Sequence, residues 1–250
     1  MDDELGCRMG RVEQMIRFAY WNTGCSGIVI GLSGGVDSAV AAAFCCRAVG
    51  PDKVLGLLLP SPVSSAADLD DAAGLCQKLG MAHRVVPIGP MLDAFRSMPG
   101  FTETSYLLGN LMARIRMTVL YYHANREHRL VCGTSNRSEY MLGYCTKWGD
   151  NAADIQPLLH LYKTEVYVVA EELGIPEPIR KKAPTAGLWE GQSDEKEIGL
   201  TYAEIDAALS ALMDQQWQAR TPTEEKVLAL VRKSGHKRMP APTLLTGSTE

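Results

Sequence analysis

Between Gly27 and Val40 the chain reads GIVIGLSGGVDSAV, an apolar run that opens into two hydroxyls, two adjacent glycines and one carboxylate. The apolar half has the composition of a buried strand, and an alanine-rich helix follows it. At such a junction the first backbone N–H groups of the helix form an anion site, and glycine lets a phosphate approach the chain closely. Ser33 and Ser38 add hydroxyl donors. A Walker loop would carry GxxxxGK[ST], whose lysine serves the terminal phosphates, and a dinucleotide fingerprint would carry GxGxxG. Neither pattern occurs in the sequence. Asp37 stands here instead, and a carboxylate beside phosphates makes sense as a ligand for Mg²⁺. The chemistry indicated is metal-assisted holding of a pyrophosphate, with cleavage between the α- and β-phosphates of a nucleotide. The plainer reading is a turn in which Gly34 and Gly35 ease the path and Asp37 caps the helix.

Other charged residues fall in short ordered stretches. GNLMARIRM (Gly109 to Met117) lies on a long helical pattern, where Arg114 and Arg116 would occupy the solvated face. In GTSNRSE (Gly133 to Glu139), Asn136 and Glu139 have the spacing of a capping box. GYCTKWGDNAAD (Gly143 to Asp154) sets Lys147, Asp150 and Asp154 in a loop-like stretch. Lys163 opens a helix, where its charge opposes the macrodipole, so an anionic partner is expected for it.

SGGVDS resembles the signature of the ATP pyrophosphatase (PP-loop) superfamily, which includes NAD, GMP and asparagine synthetases and tRNA-modifying enzymes. Taken in order, GNxxARxRM, GTxNxSE, GYxTKxGDxAAD, KxPTAxLxxGQxDE (Lys182 to Glu195) and HKR (His236 to Arg238) resemble the ammonia-dependent NAD synthetases over nearly the whole chain. Two departures are Trp148, where that family often has tyrosine, and Asn151, where it often has glycine. The resemblance implies ATP-dependent amidation of deamido-NAD (nicotinic acid adenine dinucleotide) by ammonia through an adenylated carboxylate, giving NAD, AMP and pyrophosphate. It also implies roles for particular residues. ATP would be held by Gly31, Leu32 and Ser33, by Gly34 and Gly35, and by Val36, Asp37 and Ser38, with Thr134, Lys163 and Thr185 also in contact. Asp37 and Glu139 would bind Mg²⁺. Arg114, Lys147 and Asp154 would bind deamido-NAD together with His236 and Lys237. Asp150 would sit near the ammonia, or on a second Mg²⁺ with Thr185. Asp37, Glu139, Asp150 and Lys163 form the implied catalytic set.

The elements that must position these groups alternate. After an amphipathic helix over residues 5–21, with Leu5, Met9, Val12, Ile16 and Tyr20 at three- and four-residue steps, strands are expected at 27–32, 53–60, 84–88 and 129–134. Helices are expected at 38–49, 66–79, 105–125, 161–173, 201–213 and 223–233, and Gly80 supplies a stop. On the 105–125 helix, Leu108, Leu111, Met112, Ile115, Val119 and Tyr122 form the expected apolar stripe. Alternation of this kind gives an α/β fold, a doubly wound and mainly parallel sheet with helices on both faces; the resemblance makes it adenine nucleotide alpha hydrolase-like. Ligands of such sheets bind at the carboxyl ends of the strands, where SGGVDS lies. Residues 183–199 are polar and glycine-containing, placed and composed as a lid loop, and 239–250 are read as a flexible tail. No linker or repeat appears, so one domain over 1–250 is expected.

The 250 residues carry a net charge of −4, which gives no overall attraction to nucleic acid or anionic membrane. The basic clusters are RKK from Arg180 and HKR from His236, too little for a tRNA reader. A non-catalytic ATP sensor, the other alternative, would have no use for Glu139, Asp150 and a lid together. No apolar run approaches the roughly 20 residues of a membrane span, and the acidic start MDDELGCRMG lacks a signal-peptide core. A cytoplasmic location is expected. Seven cysteines, without a CxxC pair, read as buried thiols. The synthetase motifs fill the chain, so free ammonia is the expected nitrogen donor, with a separate glutaminase subunit as the alternative source. The resemblance also implies a homodimer, to which the long helix is suited.

Overall fold

Along the first strand Ile28 and Ile30 enter one apolar cluster and Val29 enters another, and all three are fully buried. Burial on both sides is the condition of a central parallel strand. In the computed structural model, which describes residues 3–189 and 191–244, β1 (Gly27–Gly31) pairs in parallel with β2 (Val54–Leu58) and with β4 (Arg129–Cys132). β3 (Ala82–Val85) pairs in parallel with β2, so the sheet order is β3-β2-β1-β4.

One face of the sheet is covered by α1 (Asp3–Thr23), α2 (Val36–Val49), α3 (Ala66–Leu79) and α7 (Lys163–Glu172), through residues such as Ile16, Phe44, Leu75 and Val166. The other face carries α4 (Gly89–Arg96) and α5 (Ser105–Glu127), through Leu92, Met112, Ile115 and Val119. A third apolar cluster joins α6 (Arg137–Leu142), α10 (Tyr202–Asp214) and α11 (Pro222–Lys233) around Ile205, Leu209 and Val227. Two short helices, α8 (Glu177–Arg180) and α9 (Asp194–Ile198), complete the described α-helices. This is the α/β architecture expected from the sequence.

Helix boundaries follow capping chemistry. Ser65, Thr104, Thr201 and Thr221 each accept the N–H of the third residue onward, and Gly80 ends α3 with φ of +70°. Four expectations shift. The third strand stops at Val85 because Pro87 has no N–H to pair, although Val86 and Ile88 still donate to the carbonyls of Leu58 and Pro60. The helix α4 lies where none was expected, opening on Gly89-Pro90 with proline in its first turn. The 183–199 segment is not all loop, since it contains α9. Tyr122 is 62% exposed rather than on the buried stripe: at about 100° per residue, position 123 stays above 112 and 119, and His123 is the buried one.

Cys45, Cys46, Cys76 and Cys132 lie buried in the first cluster as free thiols. Burial pushes Cys46 up to about 12 and Cys76 up to about 11, which makes both poor nucleophiles. Among the described residues no helix is long and apolar enough to cross a membrane. Of the expected tail, residues 245–250 lie outside the described residues.

Candidate active site

From β1 the chain proceeds outward to β2 and β3, then crosses to β4 on the opposite side of β1. The order therefore switches between β1 and β4, and their carboxyl ends border a crevice of the kind that receives ligands. The SGGVDS turn leaves β1 at this point. Gly34 has φ of +80°, and a Cβ on it would stand 2.5 Å from the Asp68 backbone oxygen. Both observations demand glycine. Gly35 is the N-cap of α2 and makes no side-chain cap. The Gly35 N–H donates to Ser33 Oγ at 3.2 Å, the Ser33 N–H to Ser38 Oγ at 3.4 Å, and Ser38 Oγ to the Gly35 carbonyl at 3.0 Å. The turn thus holds its shape through its own hydroxyls. Gly34→Ala is expected to destabilise the fold by about 1–3 kcal/mol and to weaken ATP binding, as read by thermal melting and nucleotide titration; an unchanged melt and affinity would show that the turn tolerates a side chain.

Three elements deliver charge to this turn. Asp37, in the first turn of α2, accepts from Asn136 Nδ2 at 2.9 Å and from Lys163 Nζ at 2.5 Å. Glu139, in α6, accepts from the same Nζ at 3.0 Å and from the Tyr202 hydroxyl at 3.4 Å. Asn136 is the N-cap of α6 and accepts the Glu139 N–H at 3.0 Å. The sequence spacing suggested a reciprocal capping box, but the Glu139 carboxylate is turned toward Lys163, so its charge serves the site.

Lys163 is the first residue of α7, with its side chain 4% exposed. Its N–H donates to Ser138 Oγ at 2.9 Å, and the Thr164 N–H donates to Asp206 at 2.9 Å. Ser138 Oγ in turn donates to the other Asp206 oxygen. Burial alone would lower the Lys163 pKa; Asp37 and Glu139 outweigh it and hold it well above the ordinary lysine value. Burial pushes the Glu139 carboxyl up to about 7, against the pull of Lys163 and with the push of Asp37. The anionic partner expected for Lys163 is therefore a pair of carboxylates.

A buried ammonium between two carboxylates, beside a phosphate-shaped turn at a sheet switch point, suits nucleotide activation. Residues 9–241 match the model of the NAD synthase family. The chain belongs to that family. It is similar to the NH(3)-dependent NAD(+) synthetase of Methanoregula boonei, 70% identical over 246 residues that cover 98% of this chain and 99% of the relative. Among solved structures, the NMN synthetase of Francisella tularensis aligns with a TM-score of 0.88 at 39% identity, covering 96% of this chain and 98% of that one. The NH3-dependent NAD synthetase of Campylobacter jejuni aligns with a TM-score of 0.83 at 33% identity, covering 98% and 100%.

The remaining residues singled out in this NAD synthase family member fall into separate groups. On the rim, Arg114 donates to the Lys147 carbonyl at 3.1 Å, and Lys147 Nζ donates to the His236 carbonyl at 2.6 Å while lying 5.3 Å from the Trp148 ring centroid. Lys237 Nζ donates to the carbonyls of Gly143 and Cys145 at 2.7 and 2.6 Å. Asn151 accepts the Trp148 N–H at 2.8 Å, so one departure from the family pattern holds the turn that displays the other. Asp154 has both oxygens engaged, one by the Val131 N–H at 2.7 Å and one by the Tyr121 hydroxyl at 3.2 Å. Arg116 leaves the expected solvated face and donates to the Leu59 carbonyl at 3.1 Å. Asp150 accepts the Thr146 N–H at 2.8 Å; burial raises its pKa, and the hydrogen bonds from Thr146 oppose the rise. Thr134 is half-buried just past β4, and Thr185 accepts the Gly187 N–H at 3.1 Å. Among the described residues no hydrogen bond joins Asp150 or Thr185 to the Asp37–Glu139–Lys163 cluster.

Several contributors carried no role in the sequence reading. Asp194, 3% exposed, accepts the Ala186 N–H at 2.9 Å and the hydroxyls of Tyr144 and Tyr202, each at 3.2 Å. Lys182, just before the 183–199 segment, contacts Asp68 and Asp71 at 2.5 and 2.6 Å and the Gly34 carbonyl at 3.4 Å. Both residues stand in the KxPTAxLxxGQxDE stretch, which was the available signal. Tyr202 and Asp206 had none.

Proposed function

We infer that the chain is an ammonia-dependent NAD synthetase, converting deamido-NAD, ATP and ammonia to NAD, AMP and pyrophosphate. The observation that carries this reading is the meeting of Asp37, Glu139 and Lys163 at the turn after β1, in a chain so similar to an NH(3)-dependent NAD(+) synthetase. A free carboxylate resists amines because oxide would have to leave. When a nicotinate carboxylate oxygen attacks the α-phosphorus, the bond to the β-phosphate breaks and pyrophosphate departs, leaving an acyl adenylate. Ammonia then attacks the acyl carbon, AMP departs, and the surplus proton on nitrogen passes to a base.

The protein's own groups meet the charge of the first step. The N–H groups of Gly34, Val36, Asp37 and Ser38 and the Lys163 ammonium are fixed before reaction, so they stabilise phosphate charge without reorganising. Asp37 and Glu139 are hard oxygen donors with a cation already between them, a donor set that fits Mg²⁺. When bound, the ion would offset negative charge on the departing pyrophosphate. Thr134 and Thr185 are assigned to ATP, and Arg114, Lys147, Asp154, His236 and Lys237 to deamido-NAD. Asp154 can serve only through its remaining lone pairs.

Asp150 is assigned to the ammonia, with a second Mg²⁺ shared with Thr185 as its alternative role. As the group that orients ammonium and accepts its proton, Asp150 predicts that Asp150→Asn slows NAD formation by about 10²-fold or more while pyrophosphate release continues. A variant impaired only in ATP binding would contradict this.

The overall reading is tested by incubating the protein with deamido-NAD, ATP, Mg²⁺ and ammonium. NAD, AMP and pyrophosphate are expected in equal amounts, and absence of ammonium-dependent NAD would refute it. The Francisella tularensis neighbour is described as an NMN synthetase, which makes nicotinate mononucleotide a second candidate substrate. Competition between the two acids decides, and a higher kcat/KM for the mononucleotide would reassign the substrate.

The described residues are proposed to work as one synthetase domain in the cytoplasm, without nucleic acid and with free ammonia rather than a glutaminase subunit as donor. A homodimer is also proposed. Tyr106, Tyr122 and Trp148 are 72%, 62% and 57% exposed on or beside α5, leaving aromatic surface for a second copy. Sedimentation is expected to give a dimer at micromolar concentration; a monomer there would reject the pairing.

A further inference from the structure

We propose that Lys163 is the resident cation of the Asp37–Glu139 pair, so that these carboxylates admit a divalent cation only together with nucleotide phosphates that take the ammonium over. This rests on the reading of the site as a nucleotide-activating centre. The ammonium touches one oxygen of each carboxylate, at 2.5 and 3.0 Å. A metal ion drawn to those oxygens competes for the charge and space that Nζ already fills. Lys163 also has no easy retreat. Its side chain is 4% exposed, its Nζ lies 5.1 Å from the Tyr202 ring centroid, and its backbone N–H is fixed by Ser138.

If the lysine stays, a divalent ion must approach a unit positive charge at contact distance in a partly shielded site, which strongly disfavours binding. The pair is also an incomplete metal site by itself. Among the described residues no group of three His, Cys, Asp or Glu is arranged for a metal ion, whereas Mg²⁺ is commonly held by one or two carboxylates completed by substrate phosphates. Phosphates seated on the adjoining Ser33–Ser38 turn would supply both missing parts at once: ligands for the metal and an anion for Nζ. The lysine thereby sets an order, in which the metal enters with the nucleotide and not ahead of it.

Mn²⁺ serves as the probe, followed by water-proton relaxation, which rises when the ion joins the slowly tumbling protein. Wild-type protein alone is expected to give little enhancement, and wild-type protein with a non-hydrolysable ATP analogue a large one. Lys163→Met without nucleotide is expected to bind Mn²⁺ about 100-fold more tightly than wild type, the scale of removing one adjacent unit charge. Adding Asp37→Asn to that variant should abolish the gain. Tight binding by wild type without nucleotide overturns the proposal, as does a folded Lys163→Met protein that gains nothing while wild type with the analogue still binds. Either result leaves the amidation reading standing. Should Lys163→Met fail to fold, the two wild-type measurements decide the matter. No enhancement even with the analogue would instead strike the metal assignment on which both readings depend.

Discussion

Lys163→Met is expected to reduce pyrophosphate release by about 10³-fold, the upper range for losing one preorganised donor at developing charge. The reasons are additive in direction. The variant loses the cation that faces the phosphates, and it leaves Asp37 and Glu139 opposed without a counter-ion. Removing one partner of a buried ion pair destabilises a fold by about 3–5 kcal/mol, so the urea midpoint should fall as well. Loss of rate and loss of stability are separable. In a Lys163→Met protein that folds, kcat measured near saturating substrate still reports the missing charge. Lys163→Arg should not restore the rate. The ammonium occupies a point 2.5 Å from one carboxylate and 3.0 Å from another, where a planar, larger guanidinium cannot stand without displacing one of them. Pyrophosphate release near the wild-type rate in a folded Lys163→Met protein would remove this lysine from the chemistry.

What could be read along the chain was local. The strand, glycine turn and helix around SGGVDS announce themselves within fourteen consecutive residues, and helices such as α3 and α10 carry their own caps. The partner of Lys163 was inferable because a cation in a first helical turn asks for an anion. Its identity as two carboxylates, 126 and 24 residues away, depends on the sheet order, which no local pattern specifies. Asp206 illustrates the same limit. On α10 it is one polar residue in an amphipathic helix, yet it binds Ser138 and the Thr164 N–H across tens of residues and so fixes the first turn of α7. Asp154 shows that a motif position can have a second duty, since it closes the edge of β4 by accepting the Val131 N–H. The side of α5 that faces outward was misjudged at Tyr122 because apolar residues surround much of that helix, and only packing selects the buried side.

Asp194→Asn is expected to uncouple adenylation from amidation, so that AMP forms in excess of NAD. In the 183–199 segment, which we propose acts as a lid, Leu188 lies against α5, where a Cβ on Gly109 would stand 3.1 Å from it, and Asp194 ties the segment down through the Ala186 N–H and two tyrosine hydroxyls. The Ala186 N–H donates to Asp194 alone, while the single hydroxyl protons of Tyr144 and Tyr202 are shared with Glu197 at 2.7 Å and Glu139 at 3.4 Å. An amide in place of the carboxylate presents its own N–H groups to at least one of these donors, and a buried polar group left unpaired destabilises by about 1–3 kcal/mol. The lid would then spend more time open, water would reach the acyl adenylate, and the acid would be released again with loss of AMP. Tyr202 links this latch to the charge cluster, because its hydroxyl lies 3.2 Å from Asp194 and 3.4 Å from Glu139. Tyr202→Phe should therefore raise the AMP-to-NAD ratio in the same direction by a smaller amount, since Asp194 keeps the Ala186 N–H and its share of the Tyr144 hydroxyl. Simultaneous assay of AMP and NAD distinguishes this from simple loss of rate. A variant that slows both products equally would show that Asp194 shapes the site without guarding the intermediate from water.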